Sequence, residues 1–195
     1  EAIGKNSKER DVVQQSCVLS LGIIGDTDKD KMDVEIREAL KRISDDGDLQ
    51  SKNFAMVALG QVGGRPGQGE GNEDGQKECR NFLLTSLTKG KNHIKPWAGI
   101  GVGVMERALL DAGLTPSATA KETLRETLKD AGSPEHVGAY AIAVGISKDP
   151  EAKTILAEKF EKTSEDGARG HVAVAIGMIE ARDLIPTIQK VVKES

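Results

Sequence analysis

Five short stretches decide the fold: Ser20-Leu21-Gly22, Ala58-Leu59-Gly60, Gly101-Val102-Gly103, Ala143-Val144-Gly145 and Ala175-Ile176-Gly177. Each is a small residue, an aliphatic residue and a glycine, and each sits inside an apolar run of helical length. Successive glycines are 38, 43, 42 and 32 residues apart. A period in this range is the signature of stacked helical pairs, in which each hairpin buries its apolar face against its neighbours. The expected architecture is therefore an all-α solenoid.

The segments between the glycines fit that reading. If the glycine-bearing helix of each pair is B and its partner A, the first B helix runs from about Glu9 to Ile24, with Val13, Cys17, Leu21 and Ile24 at helical spacing. Asp28 is the expected N-cap of the first A helix, which carries Met32, Ile36, Leu40 and Ile43 on one stripe. Further B helices are expected near 50–62, 96–112, 134–146 and 167–179. Further A helices are expected near 76–88, 117–130, 150–163 and 183–193. Gly99, Gly101 and Gly103 fall on one helix at a cost of up to about 1 kcal/mol each in helix propensity. Close backbone approach to a neighbouring helix is the expected compensation.

One stretch breaks the pattern. Residues 63–75 hold six glycines with Pro66, Glu70, Glu73 and Asp74. Such a run cannot bury apolar surface against its ordering entropy, so a flexible glycine-rich loop is expected. A phosphate loop is excluded, because no strand precedes it and no Gly-Lys-Ser/Thr follows.

Composition narrows the function classes. The chain has 195 residues, 37% hydrophobic and 30% charged, with a net charge of −4. That length suits one domain. The aromatics are Phe54, Phe82, Trp97, Tyr140 and Phe160 only, so Ala, Val, Ile and Leu must fill thin helical layers. Lys89, Lys91 and Lys95 form the densest basic cluster and read as a solvated helix end, so no nucleic-acid partner is expected. No run of apolar residues is long enough to span a membrane. The chain opens at Glu1 without Met and the first B helix has no partner helix before it; the expectation is a segment, or a processed form, of a longer protein. Nothing here names a compartment.

Catalytic constellations do not assemble from the sequence. Cys17 and Cys79 lie among apolar residues and read as buried free thiols, with a disulfide left as the alternative. His93, His136 and His171 fall near B-helix starts at inequivalent positions. Asp26, Asp28 and Asp30 have a spacing faintly like a calcium loop but lack its glycine and closing glutamate, and read as helix caps. No catalytic residue, metal ligand or cofactor is assigned.

The small-aliphatic-glycine motif, with turns such as Asp46-Gly47 and Ser133-Pro134 ahead of helix B, resembles HEAT repeats, nearest to the short repeats of phycobilisome-lyase-type proteins. The resemblance covers nearly the whole chain, residues 1–195, as one repeat domain of about five helical pairs. It implies a right-handed α-α superhelix (a HEAT-like, armadillo-like solenoid) with the B helices on the concave side. Departures are the 63–75 insertion, the long third B helix, and glycine at Gly101 where alanine is usual. Deoxyhypusine hydroxylase resembles this architecture and binds two irons through His-Glu dipeptides; this chain has none, and Glu135-His136 is the reverse order. Solenoids of this kind hold proteins or peptides, so the expected function is a non-enzymatic scaffold with a protein or peptide partner on the concave face. The residues expected to contact it are Lys52, Trp97, Arg107, His136, Lys148, Arg169 and His171. Trp97 and Tyr140 read first as core, with partial exposure as the alternative. Two further readings stand: a lyase- or chaperone-like subunit with a small-molecule or metal site, and a structural spacer.

Overall fold

A computed structural model describes residues 8–194. Their helices are α1 (Lys8–Ile24), α2 (Lys31–Asp46), α3 (Leu49–Gly63), α4 (Asn72–Lys89), α5 (Lys95–Asp111), α6 (Ala118–Asp130), α7 (Pro134–Ile146), α8 (Lys153–Lys162), α9 (Asp166–Met178) and α10 (Ile185–Glu194). Short 3-10 turns at Pro150–Ala152 and Arg182–Leu184 precede α8 and α10. No strand occurs among the described residues.

Local signals set the helix starts. Asp30, Asp48, Ser117, Ser133 and Glu165 each place a side-chain oxygen on the first free backbone N–H groups of α2, α3, α6, α7 and α9. Such a cap is worth about 1 kcal/mol. Asp30, not Asp28, caps α2, because its carboxylate reaches the N–H groups of Met32 and Asp33 at 2.7 and 3.0 Å. Asp28 sits two residues earlier and accepts from Asp30 and Gly69 instead.

The odd-numbered helices are the B helices. They pack in chain order, α1 on α3, α3 on α5, α5 on α7 and α7 on α9, and each even-numbered A helix from α2 to α8 packs on the B helix that follows it. The core lies between these two rows, where Leu40, Leu59, Leu83, Met105, Leu109, Leu124 and Leu156 are all but fully buried. Tyr140 joins it at 3% exposure, whereas Trp97 is half-buried against it.

The repeated glycine has one job throughout the B row. A Cβ on Gly22 would lie 2.8 Å from the Ala58 Cβ; one on Gly60 would strike the Gly101 carbonyl; one on Gly103 would strike the Ala143 carbonyl; one on Gly145 would lie 2.9 Å from the Ala175 Cα. In every case the glycine of one helix meets the small residue that opens the motif of the next. The two small positions are therefore the two sides of one helix contact. The α5 run follows the same logic on both sides. Gly99 seats the Tyr140 ring and Gly103 seats α7, while Gly101 points back at the Met56 carbonyl of α3.

The 63–75 stretch is divided between elements. Gly63 ends α3 and residues 72–75 open α4 one turn earlier than expected, which leaves 64–71 as the loop. That loop lies on the α1–α2 turn. Thr27 donates its N–H to the Arg65 carbonyl at 3.1 Å, and Lys29 donates its N–H to the Glu70 carbonyl at 2.8 Å. The Arg65 guanidinium returns to the carbonyl of Gly25 at 2.6 Å. Asn72 accepts from Gly67 N–H at 2.7 Å and from the Thr27 hydroxyl at 2.8 Å. Glycine at 75 lets α4 pass close over the Thr27 carbonyl.

Candidate functional site

Each of α3, α5 and α7 is covered on three sides, by its two B neighbours and by the A row. The fourth side is open. On α3 it carries Phe54, Val57 and Gln61; on α5, Trp97, Ile100, Val104 and Arg107; on α7, Ala139, Ile142 and Ile146. These positions recur three or four residues apart and are all half-buried. Side by side they make one mostly apolar strip across three helices. Half-exposed apolar surface gathered into one strip is the feature that separates an interaction surface from singly scattered apolar residues.

At one end of the strip, near the C-termini of α5, α7 and α9, Arg107, Lys148 and Glu180 line a cavity of about 260 Å³ with Gly145, Ile146, Gly177 and Met178. Lys148 and Glu180 follow α7 and α9 in the left-handed region, at φ 48° and 59°. That conformation ends each helix, and it brings Lys148 Nζ to 2.9 Å from Glu180 Oε1. The hydrogen bond from Lys148, aided by its charge, holds Glu180 below the usual carboxylate range. Arg107 pairs with Asp111 at 2.7 Å on the α5 surface. Cations at helix C-termini also meet the negative end of the helix dipole.

The expected contact residues thus divide. Arg107 and Lys148 share this cavity, and Trp97 lies on the strip. The others sit toward the N-terminal ends of α3, α7 and α9. Lys52 Nζ donates to the Asp45 carbonyl at 2.6 Å. Arg169 donates to the Phe160 carbonyl at 3.0 Å, with its guanidinium 4.9 Å from the centre of the Phe160 ring, so it fastens α9 to α8. His136 stacks on Tyr140, with ring centres 5.5 Å apart, and its Nε2 is 3.3 Å from the Asn92 carbonyl. His171 is exposed beside Gly138. Sequence reasoning missed Ile100, Val104 and Ile142. The B helices are apolar nearly all round, so periodicity alone does not separate the strip from the core.

Two further grooves are polar. One of about 570 Å³ holds Lys95, Glu126, Asp130 and His136, and one of about 310 Å³ holds Lys129, Lys159 and Lys162 with Glu158 and Glu165. Burial and the neighbouring Lys162 charge lower the Lys159 pKa, and its ammonium donates to the Ala131 carbonyl at 2.7 Å.

Among the described residues, carboxylates converge in metal-ligand fashion at Asp26, Asp28 and Asp33, whose oxygens lie within 4.8 Å of one another. Each already serves the α1–α2 turn. Asp26 accepts from Asp28 N–H, Asp28 from Asp30 and Gly69 N–H, and Asp33 from Asp26 N–H. Burial, then the nearby carboxylates Asp26 and Asp30, raise the Asp33 pKa despite the Asp26 N–H bond. Cys17 and Cys79 are both free thiols. Burial pushes Cys79 up to about 12, which removes it as a nucleophile at neutral pH.

No described helix is long and apolar enough to cross a membrane. No protein-family model matches this sequence, and comparison with curated proteins finds no match.

Proposed function

We propose that the chain is a non-enzymatic scaffold that holds a protein or peptide partner on the open side of its B helices. In this reading the row of helical pairs is a HEAT-like solenoid, a right-handed superhelix with that open side concave. Support for the architecture comes from the order of packing and from the glycine contact repeated at each B–B step. The carrying observation for function is the strip of half-buried residues that runs from Phe54 and Val57 through Trp97, Ile100 and Val104 to Ile142. A half-buried tryptophan amid smaller aliphatic residues is the composition of a binding hot spot. Arg107 and Lys148 at the strip's end would add charge selection at its rim, where it steers association more than it adds affinity.

The test is capture from lysate of the source organism with the chain as bait, beside two variants. Val104→Glu and Ile100→Glu place a charge in the strip at half-exposed positions. A protein retained by the native chain and by an Arg182→Glu control, but lost with both strip variants, supports the reading. Equal retention by all of them refutes it.

A further inference from the structure

The larger polar groove, about 570 Å³, falls within the range of small-molecule sites, roughly 300–1,000 Å³. Its charged groups are unused. In the smaller groove Lys162 pairs with Glu158, Lys159 is bonded to the Ala131 carbonyl and Glu165 caps α9. In the larger one Lys95, Glu126 and Asp130 belong to no ion pair and no side-chain hydrogen bond among the described residues.

Tyr140 brings to this groove a hydroxyl that the fold does not use. The residue is 3% exposed. Its ring is locked: a Cβ on Gly99 would lie 3.0 Å from one face, and His136, itself held at the Asn92 carbonyl, stacks on it. Burial alone raises the Tyr140 pKa, with neither a hydrogen bond nor a charge acting on the oxygen. A buried phenol ordinarily finds a partner. Nor is the oxygen sealed in the core, where Asn53 Oδ1 is the one sealed side-chain oxygen without a partner among the described residues. Tyr140 opens instead onto the groove that it lines. It is a fixed, protonated donor without an acceptor.

Helix α6 supplies the opposite need. Glu126 and Asp130 lie one turn apart on the face that lines the groove, with Thr123 and Thr127. Both threonine hydroxyls donate to their own helix, at the carbonyls of Thr119 and Thr123. The face therefore offers acceptors only, two of them charged, and calls for a cation.

We infer that the groove binds a free basic α-amino acid, whose carboxylate accepts from the Tyr140 hydroxyl and the Lys95 ammonium and whose two cations pair with Glu126 and Asp130. Two carboxylates and one ammonium line the groove, and a ligand of this class carries two cations and one carboxylate. Side chains one helical turn apart start about 5–6 Å from each other, a gap that an α-ammonium and a side-chain cation of one molecule can span. The site is separate from the open-side strip and does not depend on it.

Titration calorimetry of the whole chain with L-arginine and with L-lysine tests this. At least one should bind with a Kd of about 1 mM or tighter. Tyr140→Phe keeps the ring and loses no bond within the chain, so its urea midpoint should match or exceed the native one, while L-arginine binds about tenfold more weakly. Glu126→Gln and Asp130→Asn change exposed side chains and should each weaken binding by a similar factor. Agmatine, which lacks the carboxylate, and Nα-acetyl-L-arginine methylamide, which presents arginine as a peptide does, should bind at least about tenfold more weakly than L-arginine. Absence of binding by both amino acids at several millimolar overturns the inference. So does unchanged affinity in Tyr140→Phe, or a Tyr140→Phe chain that unfolds earlier, which would give the hydroxyl a role in the fold. Capped arginine that binds as well as the free amino acid overturns it too, in favour of a peptide side chain.

Discussion

Adding one methyl group to equivalent glycines should move stability in opposite directions. At Gly60 the new Cβ would strike the Gly101 carbonyl of α5. That atom belongs to a helix backbone and cannot rotate away, so α3 and α5 must separate and the packing around Leu59 and Val102 must loosen. Overpacking of this kind costs about 1–3 kcal/mol. The helix gains back up to about 1 kcal/mol, because alanine is the better helix former. The net expectation for Gly60→Ala is a loss of about 1–2 kcal/mol. At Gly177 the same methyl meets nothing within 4 Å, so Gly177→Ala keeps the propensity gain and should stabilise by about 0.5–1 kcal/mol. Both can be read from urea unfolding followed by circular dichroism, at a concentration where the chain is monomeric. A shift in midpoint without a change in slope reports stability alone. If Gly60→Ala unfolds at or above the native midpoint, the close-approach account of the motif is wrong. If Gly177→Ala falls as far as Gly60→Ala, the glycine serves something other than the contact with the next helix.

Other perturbations have equally direct readouts. Glu106 is fully buried, accepts from Arg80 Nε at 2.9 Å and takes the Ser117 N–H ahead of α6 at 2.5 Å. Glu106→Ala strands a partly buried guanidinium and should cost about 3 kcal/mol in the same unfolding assay. In thiol labelling of the native chain at mildly alkaline pH, half-buried Cys17 should react and Cys79 should not, with both reacting after denaturation. The Asp33 pKa is raised by folding, so the stability it contributes is present at low pH and lost as pH rises through its folded value. Asp33→Asn keeps the acceptor for Asp26 N–H and removes the charge. The variant should unfold at a higher temperature than the native chain at neutral pH, and the difference should vanish below the ordinary aspartate range. An Asp33→Asn chain that is less stable at neutral pH would show that the charge itself is wanted there.

Much of the fold is legible without coordinates because helical pairs are local objects. The α7 boundaries read from Ser133-Pro134 and Ile146 match the structure, since a serine cap followed by proline leaves little freedom in where a helix starts. The sequence places the α4 start one turn late because Asn72, Glu73 and Asp74 have loop composition, while Asn72 is held by the Thr27 hydroxyl, 45 residues away in sequence. Asp28 reads wrongly as a cap for a similar reason: its partner Gly69 lies 41 residues away. The half-buried strip on the open side of α3, α5 and α7 is the least legible part. Arg107 and Lys148 stand out by their charge, but Ile100, Val104 and Ile142 look like any core residue in an apolar helix.

The sequence by itself determined that the chain is all-helical, where the helices lie within a turn, and that the repeated glycine marks a close helix contact. Those properties follow from spacing and from the sterics of a missing side chain, which act over a few residues. Only the tertiary structure decided which small residue meets which glycine, and that the 64–71 loop lies on the α1–α2 turn. It alone showed which side of α3, α5 and α7 is open. Those facts depend on which surfaces the neighbouring helices cover, and cover is a property of the packed whole.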